Sequence, residues 1–270
     1  MAVMSIKKCP RCGNKKFYRV RRDKKRCSKC GFEFTSWLIK GIRLKRKKWK
    51  EIIEWFLLER SGLWISKRMG LGKNQTYKAL RKIRQALVFD VPKEFSGTVE
   101  VDETYLGGQK KNKRKSQLKK DKKIYGKESK RGFGTTKQPV FGILCRSGKV
   151  YAELVNKTEA KDLIPIITKK VKPGAKVCSD TYRSYTGLAA KGYVHRTVEH
   201  RKKIYAKGKN HINGLEGFWG YLKRKLAAKG GVQRKYLYLF LSEYVWRYNY
   251  RKLSFKKQTN RILKLLKFSG

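Results

Sequence analysis

The 270 residues predict a mixed α/β protein, a sheet flanked by helices with two smaller modules ahead of it. Three observations carry that expectation. Two CxxC pairs crowd the first forty residues, apolar residues recur at helical spacing between 44 and 90, and from Ser96 onward strand-like runs interleave with helical ones. The boundaries expected are 1–40, 41–92 and 93–270, with a basic insertion over 107–137 in the last.

Composition sets limits before any element is drawn. Lys and Arg number 71 against 19 Asp and Glu, a formal charge of +52. A chain so basic resists compaction unless polyanion or salt screens it. Its apolar share is still 40% and its aromatic share 12%, too high for disorder, which needs high charge together with low hydrophobicity. A secreted disulfide scaffold, a membrane protein and an enzyme of anionic small metabolites are not expected, whereas nucleic acid suits so basic a surface. No run approaches the 18 apolar residues of a membrane-spanning helix, and Met1–Cys9 lacks the apolar stretch of a signal peptide. Four clustered and two scattered cysteines do not make a disulfide framework, so a reducing, cytoplasmic, nucleoid-associated setting is expected.

The first module reads Cys9-Pro-Arg-Cys12-Gly13 and Cys27-Ser-Lys-Cys30-Gly31, with fourteen residues between the pairs. A CxxC turn brings two sulfurs together, and a tetrahedral Zn²⁺ takes four thiolates at about 2.3 Å. The glycine after each pair permits positive φ and turns backbone amides toward sulfur. So small a module needs the metal to fold. Zn²⁺ on Cys9, Cys12, Cys27 and Cys30, a zinc ribbon, is therefore predicted ahead of a redox role.

The second module carries Trp49, Ile52, Ile53, Phe56 and Leu57 on one helical stripe, broken by Ser61-Gly62. A short helix over Leu63–Met69, the turn Gly70-Leu71-Gly72 and a third helix opening at Lys73 or Asn74 make a helix-turn-helix pattern. Its third helix offers Lys73, Asn74, Gln75, Lys78, Arg81 and Lys82 to a major groove. The plainer alternative is a three-helix linker whose basic face is only solvated.

In the third region acids are rare, so their positions are informative. Ser96–Leu106 alternates as a strand, with Val99 and Val101 on one face and Glu100 and Asp102 on the other. Pro139–Arg146 and Lys149–Val155 read as a hairpin across Ser147-Gly148, and Lys161–Val171 as a helix. Lys176–Asp180 is a short buried strand, Tyr182–Lys191 a helix and Tyr193–Val198 a strand. Asn213–Leu226 is a helix that packs Leu215, Phe218, Trp219, Leu222 and Leu226, with Glu216, Gly220 and Lys223 aligned beside that stripe. Residues 107–137 hold 13 Lys or Arg against two acids and read as a solvated loop able to clamp DNA. Cys145 and Cys178 lie in apolar strands and read as small core residues.

The order is strand with Asp, hairpin, helix, strand with Asp, helix, strand, helix with Glu. In this order, and behind the cysteine module, the chain resembles the DDE transposases of prokaryotic insertion sequences, and more narrowly their ISXO-like group. The stretches that carry the resemblance are Val101-Asp-Glu-Thr-Tyr-Leu-Gly-Gly108, Ser179-Asp180, His211-Ile-Asn-Gly-Leu-Glu-Gly-Phe-Trp219, Lys223-Arg224 and Arg247-Tyr-Asn-Tyr-Arg251. The resemblance implies an RNase H-like core and a catalytic triad of Asp102, Asp180 and Glu216 holding Mg²⁺ or Mn²⁺. It also implies contact of Lys223, with Arg224 beside it, to the element's end DNA. The partners implied are double-stranded terminal inverted repeats and target DNA, engaged by a homodimer or larger assembly, and no membrane.

The chemistry is consistent with those residue types. In-line displacement at a phosphodiester is helped by two Mg²⁺ ions about 3.5–4 Å apart. Hard Mg²⁺ prefers carboxylates, and two such ions on three acids leave one positive charge for the scissile phosphate. Without metal the acids repel and some of their pKa values rise. Taken singly, an Asp ending a strand is an ordinary turn or cap residue, and a Glu on a basic helix an ordinary ion-pair partner. Glu100 and Glu103 are set aside, the first for its position two residues early and the second because it points to the opposite face. His211 either orients a phosphate or attacking water, or simply opens the helix. The competing function is a non-catalytic zinc-ribbon and helix-turn-helix DNA-binding regulator derived from a transposase.

Overall fold

The computed structural model describes residues 8–9, 11–21, 24–35, 42, 44–108, 114–125, 135–146, 148–181, 183–198 and 211–268. The chain forms two compact units: Met1–Asp90 with Lys252–Gly270, and Val91–Arg251.

In the first unit, β1 (Phe17–Arg21), β2 (Lys24–Cys27) and β3 (Glu33–Thr35) pair antiparallel in that order. Among the described residues, their interior is formed by Cys9, Cys27 and Phe34 with Phe17 and Cys30 against them. Helices α1 (Arg46–Leu57), α2 (Gly62–Met69) and α3 (Lys73–Leu87) follow. On α1 the buried residues are Trp49, Ile52, Ile53 and Phe56, as the spacing predicts. The Ser61 hydroxyl caps α2 by accepting from the Trp64 amide at 3.2 Å. Gly70, at φ 59°, ends α2 in the left-handed region, and the Leu71 amide reaches back to the Ser66 carbonyl.

The last helix of the chain, α8 (Phe255–Phe268), belongs to this unit and packs on α1 and α3. The expected third domain runs to residue 270, whereas the compact unit that holds the sheet ends at Arg251. Ile262, Leu263 and Leu266 form a stripe that must be buried, and the three earlier helices leave an apolar face for it. Arg261 forks onto Asp90, at 2.6 and 2.5 Å, which fixes the helix against the end of α3.

The second unit is built on one five-stranded sheet. Its strands are β4 (Thr98–Leu106), β5 (Gln138–Cys145), β6 (Lys149–Leu154), β7 (Lys176–Asp180) and β8 (Val194–Val198). They run in the order β6-β5-β4-β7-β8. The first three are antiparallel, and β7 and β8 run parallel to β4 and to each other. This is the RNase H-like arrangement. One face carries α5 (Ala160–Lys170) and a 3₁₀ helix over Arg183–Lys191, over a core that includes Val99, Val101, Leu163, Val177 and Tyr185. The other face carries α6 (Asn213–Ala227) and α7 (Leu237–Asn249), over Leu144, Leu215, Phe218, Trp219 and Tyr244.

Two expectations change here. The segment after Asp180 winds as a 3₁₀ helix rather than an α-helix. The basic insertion is not only loop, since α4 occupies Lys115–Tyr125, while 109–113 and 126–134 fall outside the described residues. A run of Lys, Leu and Gln without Gly or Pro has enough helix propensity to explain it. No described helix is long and apolar enough to cross a membrane.

Candidate active site and metal centre

The acids are positioned by strand register. The β4–β7 pairing runs Thr98↔Lys176, Val99↔Val177 and Glu100↔Cys178. Two residues further along each strand come Asp102 and Asp180, so the pleat turns both carboxylates to the α6 face at the same level. Asp102 is half-buried, and its Oδ2 accepts a hydrogen bond from the indole Nε1 of Trp219 at 3.0 Å. Burial, with the charges of Glu103 and Asp180 added, pushes the Asp102 carboxyl up to about 8, although the indole opposes this.

Gly142 is the cross-strand partner of Asp102. A Cβ there would sit 2.5 Å from Cζ2 of Trp219, so the indole can lie across the strand only because residue 142 has no side chain. Trp219 is therefore more than the core residue that its stripe suggests.

Glu103 projects to the opposite face, as alternation requires, yet it belongs to the same electrostatic cluster. Tyr185 from the 3₁₀ helix donates its hydroxyl to the Glu103 carboxylate. Burial raises Glu103 to about 7 against the help of that hydroxyl, and the Asp180 charge adds to the rise. Setting Glu103 aside on facing alone misses this. The available signal was its being one of only 19 acids in the chain and adjacent to Asp102. On the same face the Ser179 hydroxyl lies 2.8 Å from His195 Nε2, and burial lowers the His195 pKa.

Helix α6 runs along β4. Leu215 meets Glu100 and, one turn on, Trp219 meets Asp102. Glu216 is exposed on the first turn of α6, beside the line that Leu215 and Trp219 turn toward the sheet. Lys223 lies two turns later on that same flank and is exposed; desolvation lowers its pKa, while the Asp102 charge raises it and Lys137 lowers it further. Lys137, which precedes β5, is close enough to Lys223 for the two ammonium groups to repel. Among the described residues, the three acids Asp102, Asp180 and Glu216 do not all lie within 4.8 Å of one another. Asp102 and Asp180 come together through the sheet, and Glu216 stands on the helix beside them.

His211, just ahead of α6, has its Nδ1 3.3 Å from Glu100 Oε1 but without hydrogen-bond geometry. Glu100 itself is 1% exposed. Cys145 and Cys178 are buried and unbridged, as expected of small core residues.

The four N-terminal cysteines do converge. Their sulfurs all lie within 4.8 Å of one another, with Cys9–Cys30 at 3.6 Å and Cys12–Cys27 at 3.5 Å. A tetrahedron with arms of about 2.3 Å has edges of about 3.8 Å, so the set fits Zn²⁺ without rearrangement. Gly13 and Gly31 take φ 71° and 68°, as the two knuckles require. Burial raises the Cys27 pKa, but backbone amides of Cys30 and Lys29 and the Asn14 side chain outweigh it and bring the thiol down to about 6. The cluster is a zinc ribbon in form.

On α3, Lys73, Asn74, Tyr77, Lys78 and Arg81 are exposed, while Thr76, Ala79, Leu80 and Ile83 are buried. The exposed set repeats every three to four residues and so forms one solvent-facing stripe. Arg224 lies next to Lys223 in the last turn of α6.

Comparison with known proteins matches this architecture. The ISXO2-like transposase domain matches residues 94–249, from just before β4 to the end of α7. The match stops where the second unit stops, before α8. A transposase-like protein of Haemophilus influenzae is 36% identical over 121 residues, covering 45% of this chain and 96% of that protein. Among solved structures, a simian T-cell lymphotropic virus intasome in complex with PP2A regulatory subunit B56 gamma aligns at 10% identity and a TM-score of 0.35. That alignment covers 76% of this chain and 69% of the other, a likeness too slight to carry weight. With more than half its length matched by one family model, the chain belongs to the ISXO2-like transposase family.

Proposed function

We propose that the protein is the transposase of an insertion sequence: it binds terminal inverted repeats, cleaves the phosphodiester at the element ends and joins the 3′-hydroxyl ends to target DNA. One observation carries the catalytic reading. Asp102 and Asp180 stand level on adjacent parallel strands, and burial together with the like charges of Glu103 and Asp180 raises Asp102 to about 8, so carboxylates crowd one end of the β4–β7 pair. Hard carboxylates that repel one another suit a hard divalent cation. Asp102, Asp180 and Glu216 would hold Mg²⁺ or Mn²⁺, which when bound neutralises the acids and activates the attacking hydroxyl.

The protein's own groups do the rest. Trp219 holds Asp102 in place and keeps water from that side of the carboxylate. Lys223, within the field of Asp102, presents its ammonium group to a DNA phosphate next to the acids, with Lys137 near it. In the first unit, Zn²⁺ on the four cysteines supports the ribbon, and α3 acts as the recognition helix of a helix-turn-helix. Lys73, Asn74, Lys78 and Arg81 on its exposed stripe meet the major groove.

The test is cleavage and joining of DNA carrying the terminal repeats of the gene's own locus. Asp102→Asn, Asp180→Asn and Glu216→Gln should each abolish metal-dependent cleavage and leave the DNA dissociation constant within about twofold. Full activity in all three would end the enzymatic reading. A second reading, a non-catalytic DNA-binding regulator, draws support from the fact that Asp102, Asp180 and Glu216 do not all lie within 4.8 Å of one another. Mn²⁺ that fails to bind at Asp102 and Asp180, together with intact repeat-specific DNA binding, would favour it.

A further inference from the structure

Helix α6 begins without a cap of its own. Its N-cap residue is Ile212, whose side chain offers no acceptor. The first amides of a helix need acceptors, and its positive end favours an anion. The acceptor comes from 115 residues away, where Glu100 Oε2 takes the Leu215 amide at 2.9 Å. The other oxygen, Oε1, faces Arg146 Nε at 3.4 Å, and Arg146 Nη2 donates to the His211 carbonyl at 3.1 Å. Gly214 leaves just enough room, because a Cβ there would lie 2.9 Å from Glu100 Oε2 and 3.2 Å from Leu144 Cδ2. Cys178, the cross-strand partner of Glu100, feels the His211 backbone amide as well. The segment that enters α6 is thus fastened to both strands that carry the acids, one pleat repeat before them.

The spacing makes this anchor effective. Two residues of strand advance about 6.6 Å and four residues of helix rise about 6 Å. A helix pinned at Leu215 over Glu100 therefore brings Trp219 over Asp102 and holds Glu216 at a height between the two. We infer that Glu100 is a positioning residue that locks the first turn of α6 against β4 and so sets the place of Glu216 relative to Asp102 and Asp180. The inference rests on Glu216 being the third acid.

The experiment uses the full chain with Glu100→Gln, Gly214→Ala and, as a reference, Glu216→Gln. Glutamine keeps the size of Glu100 but turns an NH₂ toward either the Leu215 amide or Arg146. Alanine at 214 favours the helix yet pushes against the carboxylate, so it perturbs the anchor without removing its charge. Hydrogen exchange over 211–216 and a Mn²⁺ binding isotherm are read beside DNA affinity. Both anchor variants should exchange the first-turn amides at least tenfold faster and bind Mn²⁺ at least fivefold more weakly, with DNA affinity within twofold. Native exchange protection and native Mn²⁺ affinity in Glu100→Gln overturn the inference; if that variant does not fold, the same result in Gly214→Ala does so. If Glu216→Gln binds Mn²⁺ as tightly as the native chain, the third-acid reading fails. The exchange data then still decide whether Glu100 holds the helix.

Discussion

Replacing Asp102 by Asn should make the metal-free protein more stable. Its carboxyl is lifted from an ordinary 3.8 to about 8, first by burial and then by Glu103 and Asp180. A group that ionises freely only when unfolded favours the unfolded chain by about 1.4 kcal/mol per pH unit above its ordinary pKa. At pH 7 this reaches about 4 kcal/mol, and local relaxation with water entry leaves roughly half, about 2 kcal/mol. Asparagine removes the ionisation while its carbonyl oxygen still accepts from Trp219. For a unit of this size the gain corresponds to a melting temperature about 4–8 °C higher. Because the folded pKa is raised, the native penalty is absent below pH 4, grows as pH rises and levels off above about 8. Guanidinium unfolding of both chains between pH 5 and 9, without added divalent metal, measures it. The stability gap should widen steadily to pH 8, and Mn²⁺ should narrow it by stabilising only the native chain. A destabilised asparagine variant, or a gap independent of pH over that range, would refute the account of Asp102.

Further expectations follow from other parts of the molecule. On the proposed function Mn²⁺ would displace a proton from Asp102, so its half-saturating concentration in cleavage should fall as pH rises from 6 to 8. Cys27→Ala, or a zinc chelator, should unfold the β1–β3 sheet while leaving the second unit intact, because that sheet encloses only a handful of apolar residues; circular dichroism with limited proteolysis would resolve the two. Gly142→Ala forces a methyl against Trp219 and should cost about 1–3 kcal/mol in chemical unfolding, with loss of the Asp102 hydrogen bond. Lys78→Ala and Arg81→Ala should each lower the magnitude of the salt slope of DNA binding by about 0.9 if each meets one phosphate.

Local pattern alone determined much of this protein. The β5–β6 hairpin, the Lys176–Asp180 strand and α6 lie within a residue or two of where periodicity puts them, since each has a face that must be buried. The paired knuckles identified their own cluster, because CxxC spacing and the following glycines fix sulfur positions over a few residues. The facing of Glu100 and Asp102 followed from strand alternation in the same way.

What only the tertiary structure decided depends on residues far apart in the chain. Glu103 points away from Asp102, yet it shares its electrostatics once Tyr185, 82 residues later, encloses it. Glu100 looks superfluous beside Asp102 until α6 arrives without a cap and takes its carboxylate. Helix α8 has an apolar stripe that any exposed core could accept, and nothing in its sequence says that α1 and α3 would bury it. Periodicity tells a side chain which way to face. Which partner it meets there, and hence whether its charge is capped, paired or left for a cation, is set by elements that meet only in the folded chain.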